Sequence, residues 1–223
     1  MIRTLAFDIY GTLINTHAVA TQLAGLLNDE ELTKRFTQQW RDKQLEYSFR
    51  RGLMGAYADF SVCTRQALDF CCDLFNTPFS QAERNALLAT YAVLPAYAEV
   101  NESLNHISKL DIRLIAFSNG SASAVDGLLN NAGLSHFFEA IVSVEELPSF
   151  KPDPRVYDHL LARMNCNSET TMLVSSNPFD VIGASHAGWK TAWIDRGTAP
   201  FDPWGIEPDM ICGGLHELAQ RIK

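Results

Sequence analysis

The sequence predicts an α/β fold: a doubly wound parallel-sheet core interrupted by an all-helical block. Six short apolar runs carry the first half of that reading: RTLAFDIY, IRLIAFSN, AIVSV, TMLVSSN, TAWIDR and DMICGG. They lack polar alternation, as expected of strands covered on both faces. From residue 98 onward they are separated by helix-like segments, whereas residues 15–97 contain no convincing strand.

The elements justify themselves in order. The first strand leads into FDIYGTL, where Asp8 follows an apolar run and Gly11 marks a turn. The block after it reads as four or five helices, among them one from Glu30 to about Arg51 and one around VCTRQALDFCCDLF. A last one opens at Ser80 with Glu83 three residues on, a capping-box signature. Beyond the second strand, Ser121 starts and Gly133 stops one helix. Asp153 caps PRVYDHLLARM with Pro154 in its first turn, and Asn177 caps PFDVIGASHAG, with Pro178 following and Gly188 at the exit. The expected division is a catalytic core of residues 1–14 and 98–223 and a helical cap of residues 15–97.

The long cap helix is apolar on two sides. Phe36, Trp40 and Tyr47 are expected on one face, and Arg41, Leu45 and Phe49 on another. Such a helix is sandwiched, and an arginine on its second face needs an anionic partner; an ordinary ion pair or a snorkelling side chain is the plainer alternative.

Bulk properties narrow the function. The 223 residues carry a net charge of −8, are 47% apolar and 20% charged, and can bury a real core. The acidity argues against nucleic acid as a general partner and offers no basic stripe for a membrane surface. No apolar stretch approaches the roughly 20 residues that span a bilayer, and the start of the chain does not read as a signal peptide. The five cysteines show neither C-x-x-C nor zinc spacing and read as reduced thiols, so the expected location is cytoplasmic. Neither a P-loop nor G-x-G-x-x-G is present, the six histidines lack metal spacing, and GSASA at 120–124 lacks the second glycine of a nucleophile elbow. No cofactor and no metal are indicated.

Ligands of open parallel sheets bind at the carboxyl ends of the strands. Those ends carry Asp8 with Tyr10 and Thr12, then Ser118 and Asn119, then Ser175 with Asn177 and Asp180, while Lys151 lies in the loop SFKPDP. Singly each has a local explanation: an Asx turn at Asp8, a turn tripeptide at Ser118-Asn119-Gly120, helix-end residues at Asn177 and Asp180, a solvated charge at Lys151. Together they favour a site.

FDIYGTL, FSNGS, SFKPDPRVY and SSNPFDVIGA resemble the four motifs of the haloacid dehalogenase superfamily, and specifically of its L-2-haloacid dehalogenases, the type II group. WRDKQLEYSFRRGLMGAYADF resembles that group's cap segment, so the resemblance spans essentially the whole chain. It implies a Rossmann-like core with a helical cap after the first strand. Most of the superfamily are magnesium-dependent phosphohydrolases with a second aspartate two residues after the nucleophile. Tyr10 stands there instead, and Ser175, Ser176 and Asn177 stand where an aspartate would face magnesium. A halide leaves as a stable anion and needs neither.

The resemblance implies a displacement in which Asp8 attacks C2 of a 2-halocarboxylate, giving an ester with inversion. Lys151 would keep Asp8 ionised, and Ser118 would hold the substrate carboxylate. Arg41, Asn119 and Phe179 would surround the halide, and Tyr10 would line an apolar pocket. Many relatives carry tryptophan where Phe179 stands. Asp180 would activate water placed by Asn177, with Thr12, Tyr157 and Ser175 in supporting hydrogen bonds. The expected substrates are short-chain L-2-haloalkanoic acids, and the group implies a homodimer. A hydrolase of azetidine-2-carboxylate or, further off, a magnesium-dependent phosphatase are the alternatives; a silent binding protein would be expected to have lost Asp8 or Lys151.

Overall fold

The computed structural model describes residues 1–197 and 199–222. Its centre is a six-stranded sheet of β1 (Thr4–Phe7), β2 (Arg113–Ser118), β3 (Ala140–Ser143), β4 (Thr171–Ser175), β5 (Lys190–Ile194) and β6 (Met210–Cys212). The strand order is β3-β2-β1-β4-β5-β6, and every neighbouring pair is parallel. Each of the six apolar runs supplies one strand. Successive residues feed opposite faces: Leu5 and Phe7 join one buried cluster, while Ala6 joins the other with Ile115, Phe117 and Leu173. Both faces being covered, neither needed polar side chains, which is why the runs read as continuous.

After β1 the chain is helical until β2. It forms α1 (Val19–Leu27), α2 (Glu30–Met54), α3 (Phe60–Leu74), α4 (Gln81–Thr90) and α5 (Val100–Ile107). Asp29 caps α2 by accepting from Leu32 N–H, and Gly55, at φ +62°, ends it three residues beyond the expected stop. Ser80 and Glu83 form the capping box expected at α4. The buried stripe of α2 runs Phe36, Trp40, Gln44, Ser48, at a strict spacing of four, and Tyr47 lies half-buried at its edge, edge-on to Phe70. Trp40 anchors the stripe by donating its indole N–H to the Thr64 carbonyl of α3 at 2.9 Å.

The two chain segments that join this helical region to the sheet are zipped together. Tyr97 N–H donates to Leu13 O at 3.0 Å, Asn15 N–H to Pro95 O at 2.9 Å, and Ile14 bridges Ala96. Arg196, just past β5, clamps the crossing: its guanidinium donates to Thr12 O and to Glu99 Oε1, at 2.5 and 2.8 Å, and lies 3.6 Å from the centroid of the Tyr97 ring.

The remaining helices are α6 (Ala122–Asn131), α7 (Pro154–Met164), α8 (Pro178–His186) and α9 (Leu215–Arg221). The open end of α6 is capped from across the sheet, Ala122 N–H donating to Glu145 Oε1 at 2.8 Å, with no bond from Ser121's side chain. No helix among the described residues is long and apolar enough to cross a membrane.

Candidate active site

The sheet brings the polar strand ends together because β1 lies between β2 and β4. Phe7 is in register with Ala116 on one side and Val174 on the other, so Asp8 emerges between the ends of both neighbours. Asp8 is nearly buried, and donors surround its carboxylate. Thr12 Oγ1 donates to Oδ2 at 2.8 Å and Asn177 Nδ2 to the same oxygen at 2.7 Å. Lys151 Nζ lies 3.3 Å from Oδ1.

Lys151 is almost wholly buried and serves two carboxylates. Its ammonium donates to Asp180 Oδ2 at 2.8 Å and to the Phe117 carbonyl at 2.9 Å, and sits 4.1 Å from the centroid of the Phe117 ring. The second oxygen of Asp180 accepts from Tyr157 Oη at 2.8 Å. Burial raises the Asp180 carboxyl above the ordinary aspartate range; Lys151 opposes the rise and the charge of Asp8 adds to it. Burial likewise raises the Tyr157 phenol well above its usual value, the charge of Asp180 acting in the same direction, so Tyr157 is a donor.

The other residues singled out in the sequence fall around this network. Ser175 Oγ accepts from Asn177 N–H at 3.1 Å and thereby sets the backbone that aims Asn177. Asn177 makes no side-chain cap bond to its helix; its amide is spent on Asp8 and on Tyr10 O, and Asp180 turns to Lys151 rather than to helix N–H groups. Asn119 Oδ1 accepts from Lys151 N–H at 2.9 Å, which fixes the loop that delivers the lysine. Ser118 Oγ accepts from Gly120 N–H at 3.0 Å, leaving the hydroxyl proton to be given elsewhere. Arg41 reaches down from α2 to Asn177 Oδ1, at 3.5 Å. Phe179 meets Phe49 of α2 edge-on, with ring centroids 5.0 Å apart. Tyr10 faces the cap side, its phenol pushed up to about 12 by burial against the lowering influence of Arg41.

Three further contributors were given no supporting role in the sequence reading. Ser176 links Thr12 to β4: its N–H donates to Thr12 Oγ1 at 2.9 Å and its hydroxyl to Gly11 O at 2.6 Å. Arg196 holds the Thr12 carbonyl from behind. Gly183 lets α8 close on α7, since a Cβ there would stand 2.5 Å from Tyr157 Oη and 2.6 Å from Pro152 Cβ. Gly183→Ala should therefore displace Tyr157 and the Lys151 loop together. Because displacements near 1 Å cost about 100-fold in rate, turnover should fall by tenfold or more along with the melting temperature, and wild-type kinetics would show that the close approach is idle.

These groups set one carboxylate among hydrogen-bond donors and a cation, beside a second, fully buried carboxylate that burial raises above the ordinary aspartate range. Among the described residues, no three His, Cys, Asp or Glu side chains gather to hold a metal ion.

A parallel sheet with a buried, hydrogen-bonded aspartate after its first strand and a helical insertion following it defines the class, and the chain belongs to the haloacid dehalogenase-like hydrolases, whose family model matches residues 2–188. Within that family it is similar to (S)-2-haloacid dehalogenase 2 of Pseudomonas sp. (strain CBS-3), 38% identical over 221 residues, which cover 99% of this chain and 96% of the relative. The (S)-2-haloacid dehalogenase of Pseudomonas sp. (strain YL) is 34% identical over 225 residues, covering 100% of this chain and 95% of the relative. Among solved structures, the L-2-haloacid dehalogenase of Xanthobacter autotrophicus with chloropropionic acid covalently bound superposes with a TM-score of 0.89 at 30% identity, covering 99% of this chain and 98% of that one.

Proposed function

We propose that the protein hydrolyses short-chain (S)-2-haloalkanoic acids to (R)-2-hydroxy acids through an ester on Asp8, acting as an (S)-2-haloacid dehalogenase. The observation that carries the reading is Lys151, shared between Asp8 at 3.3 Å and Asp180 at 2.8 Å. One ammonium keeps a nucleophile and a base ionised side by side, and the acid that a phosphatase would place two residues after Asp8 is a tyrosine whose proton is held up to about pH 12.

Oδ2 of Asp8 has both acceptor positions filled by Thr12 and Asn177, whereas Oδ1 faces only Lys151 among the described residues. Oδ1 is therefore the oxygen with a lone pair to spend. It attacks C2 opposite the halogen, the C–O bond forms as the carbon–halogen bond breaks, and the halide departs with the electron pair towards the Arg41 guanidinium, Asn119 and the ring edge of Phe179. The Ser118 hydroxyl donates a hydrogen bond to the substrate carboxylate. In the second step Asp180 takes a proton from water and the oxygen adds to Cγ of Asp8; the tetrahedral centre then breaks its bond to the substrate oxygen, which leaves as the 2-hydroxy acid by taking up the proton held on Asp180, so that both carboxylates are regenerated. Inversion happens once, at C2, so an S substrate yields an R product. A covalently held chloropropionic acid in the Xanthobacter relative supports this route.

In this reading residues 1–14 and 98–223 act as the catalytic core and 15–97 as the cap, with Arg41 carrying halide capture across the seam. Five free cysteines suit a reducing cytoplasm, and the family likeness supports a homodimer, which light scattering on the purified chain would weigh directly. The decisive assay is halide release from each enantiomer of 2-chloropropionate without added metal. Release from the S form alone, yielding (R)-lactate, is expected; inertness towards both removes the proposal.

A further inference from the structure

Lys151 has to bring its ammonium between two carboxylates, so the loop that carries it must itself be held. From the sheet, Asn119 Oδ1 accepts the Lys151 N–H at 2.9 Å. A second hold comes from the helical insertion, through the residue that precedes the lysine.

Phe150 is 2% exposed. Its ring centroid lies 5.0 Å from that of Tyr57, the planes tilted by 32°, and 6.1 Å from that of Phe60, edge-on. Tyr57 lies between α2 and α3, and Phe60 opens α3. Gly52, in the last turn of α2, brings helix backbone onto the same loop: a Cβ there would stand 3.7 Å from Ser149 Oγ and 3.9 Å from Phe150 N. Phe150 and Cys63 of α3 share one buried cluster with Phe117 and Tyr157, and Tyr57 and Phe60 pack against it. Side chains of the insertion thus belong to the apolar core that seats the Phe117 ring beside the Lys151 ammonium. Tyr57 Oη is buried with no hydrogen-bond partner among the described residues, so what Tyr57 brings to this contact is its ring.

We propose that Phe150 is a positioning residue: the rings of Tyr57 and Phe60 grip it from the cap, and through it they keep Lys151 within reach of Asp180 and Asp8. The proposal rests on the dehalogenase reading, in which Asp180 is the base of the second step. Asp180 faces Lys151 from the loop, Tyr157 from α7 and Asp8 from the end of β1. Burial and the charge of Asp8 oppose its ionisation, while Lys151 and the Tyr157 hydrogen bond favour it. A slackened loop weakens the contribution of Lys151, so Asp180 keeps its proton to higher pH and the acid limb of the kcat profile moves up.

The test follows kcat and KM for (S)-2-chloropropionate against pH in the wild type, Tyr57→Leu and Tyr57→Phe. In Tyr57→Leu the acid limb should move up by about 0.5 to 1 in pH, a roughly three- to tenfold loss of kcat in mild acid that recovers on the alkaline side, with KM little changed. Tyr57→Phe keeps the ring and should keep the wild-type profile. A ring that serves packing alone would lower the melting temperature and leave the limb in place. That result in an active Tyr57→Leu, or a limb that moves as far in Tyr57→Phe, overturns the proposal and leaves the dehalogenase reading standing. A wild type inert towards chloropropionate removes both. Should Tyr57→Leu not fold, Phe150→Leu, which keeps an apolar side chain beside Lys151, decides by the same limb.

Discussion

Asp8→Ala should abolish halide release, lowering turnover by roughly 10⁵-fold or more, the scale seen when a covalent nucleophile is deleted. The loss should be chemical, with the fold retained. Without Asp8 the Lys151 ammonium still has Asp180 at 2.8 Å, the Phe117 carbonyl at 2.9 Å and the Phe117 ring beneath it. Removing a neighbouring negative charge also relieves one of the influences that raise Asp180. A melting curve close to wild type beside a dead enzyme is the expected pair of results. The matching positive experiment is a turnover in heavy-oxygen water with enzyme in excess, in which label should enter the Asp8 side chain before it reaches the hydroxy acid. Halide release that survives in Asp8→Ala, or an Asp8 that stays unlabelled, would mean that water attacks carbon directly.

The parts of this molecule that repeat a simple rule were legible. Strands buried on both faces leave an unmistakable run of apolar residues, and all six were read as such. Polar residues at the ends of those runs were legible for the same reason, since they break the run at one edge of the sheet. Asn177 shows where that reading reaches its limit. At the start of a helix, before Pro178, it has an adequate local role as a cap, and only the register of β1 against β4 reveals that its amide turns to Asp8 instead. Gly183 and Arg196 left no local trace. A glycine inside a helix and an arginine after a strand are each ordinary, and their meaning lies in Tyr157 and Thr12, residues far away along the chain. Gln44 was hidden differently: aromatic residues catch the eye in an amphipathic pattern, so Tyr47 stood out, while the strict spacing of four ran through Gln44 and Ser48.

Lys151→Met should be the most destabilising single change at the site, and its cost should depend on pH. The wild-type ammonium lies against two carboxylates inside the protein, with its own side chain 1% exposed and theirs 10% and 0%. Methionine fills a similar volume but leaves both acids without a counter-charge, a kind of break that costs about 3–5 kcal/mol when one partner of a buried pair is removed. Asp180 sets the pH dependence. Its carboxyl is already raised, chiefly by burial, and Lys151 is the main influence pulling it down, so the variant raises it further. A carboxyl whose pKa is higher folded than unfolded favours the folded state while protonated; that contribution is complete below the ordinary aspartate range near pH 4. It is lost as pH rises through the raised value. The deficit of Lys151→Met against wild type should therefore be small in mild acid and widen towards pH 8, as urea unfolding at each pH would measure. Turnover should be missing even in acid, because an Asp180 that keeps its proton cannot take one from water. A deficit independent of pH would show that the lysine is held there for packing alone, and that Asp8 and Asp180 do not share its charge.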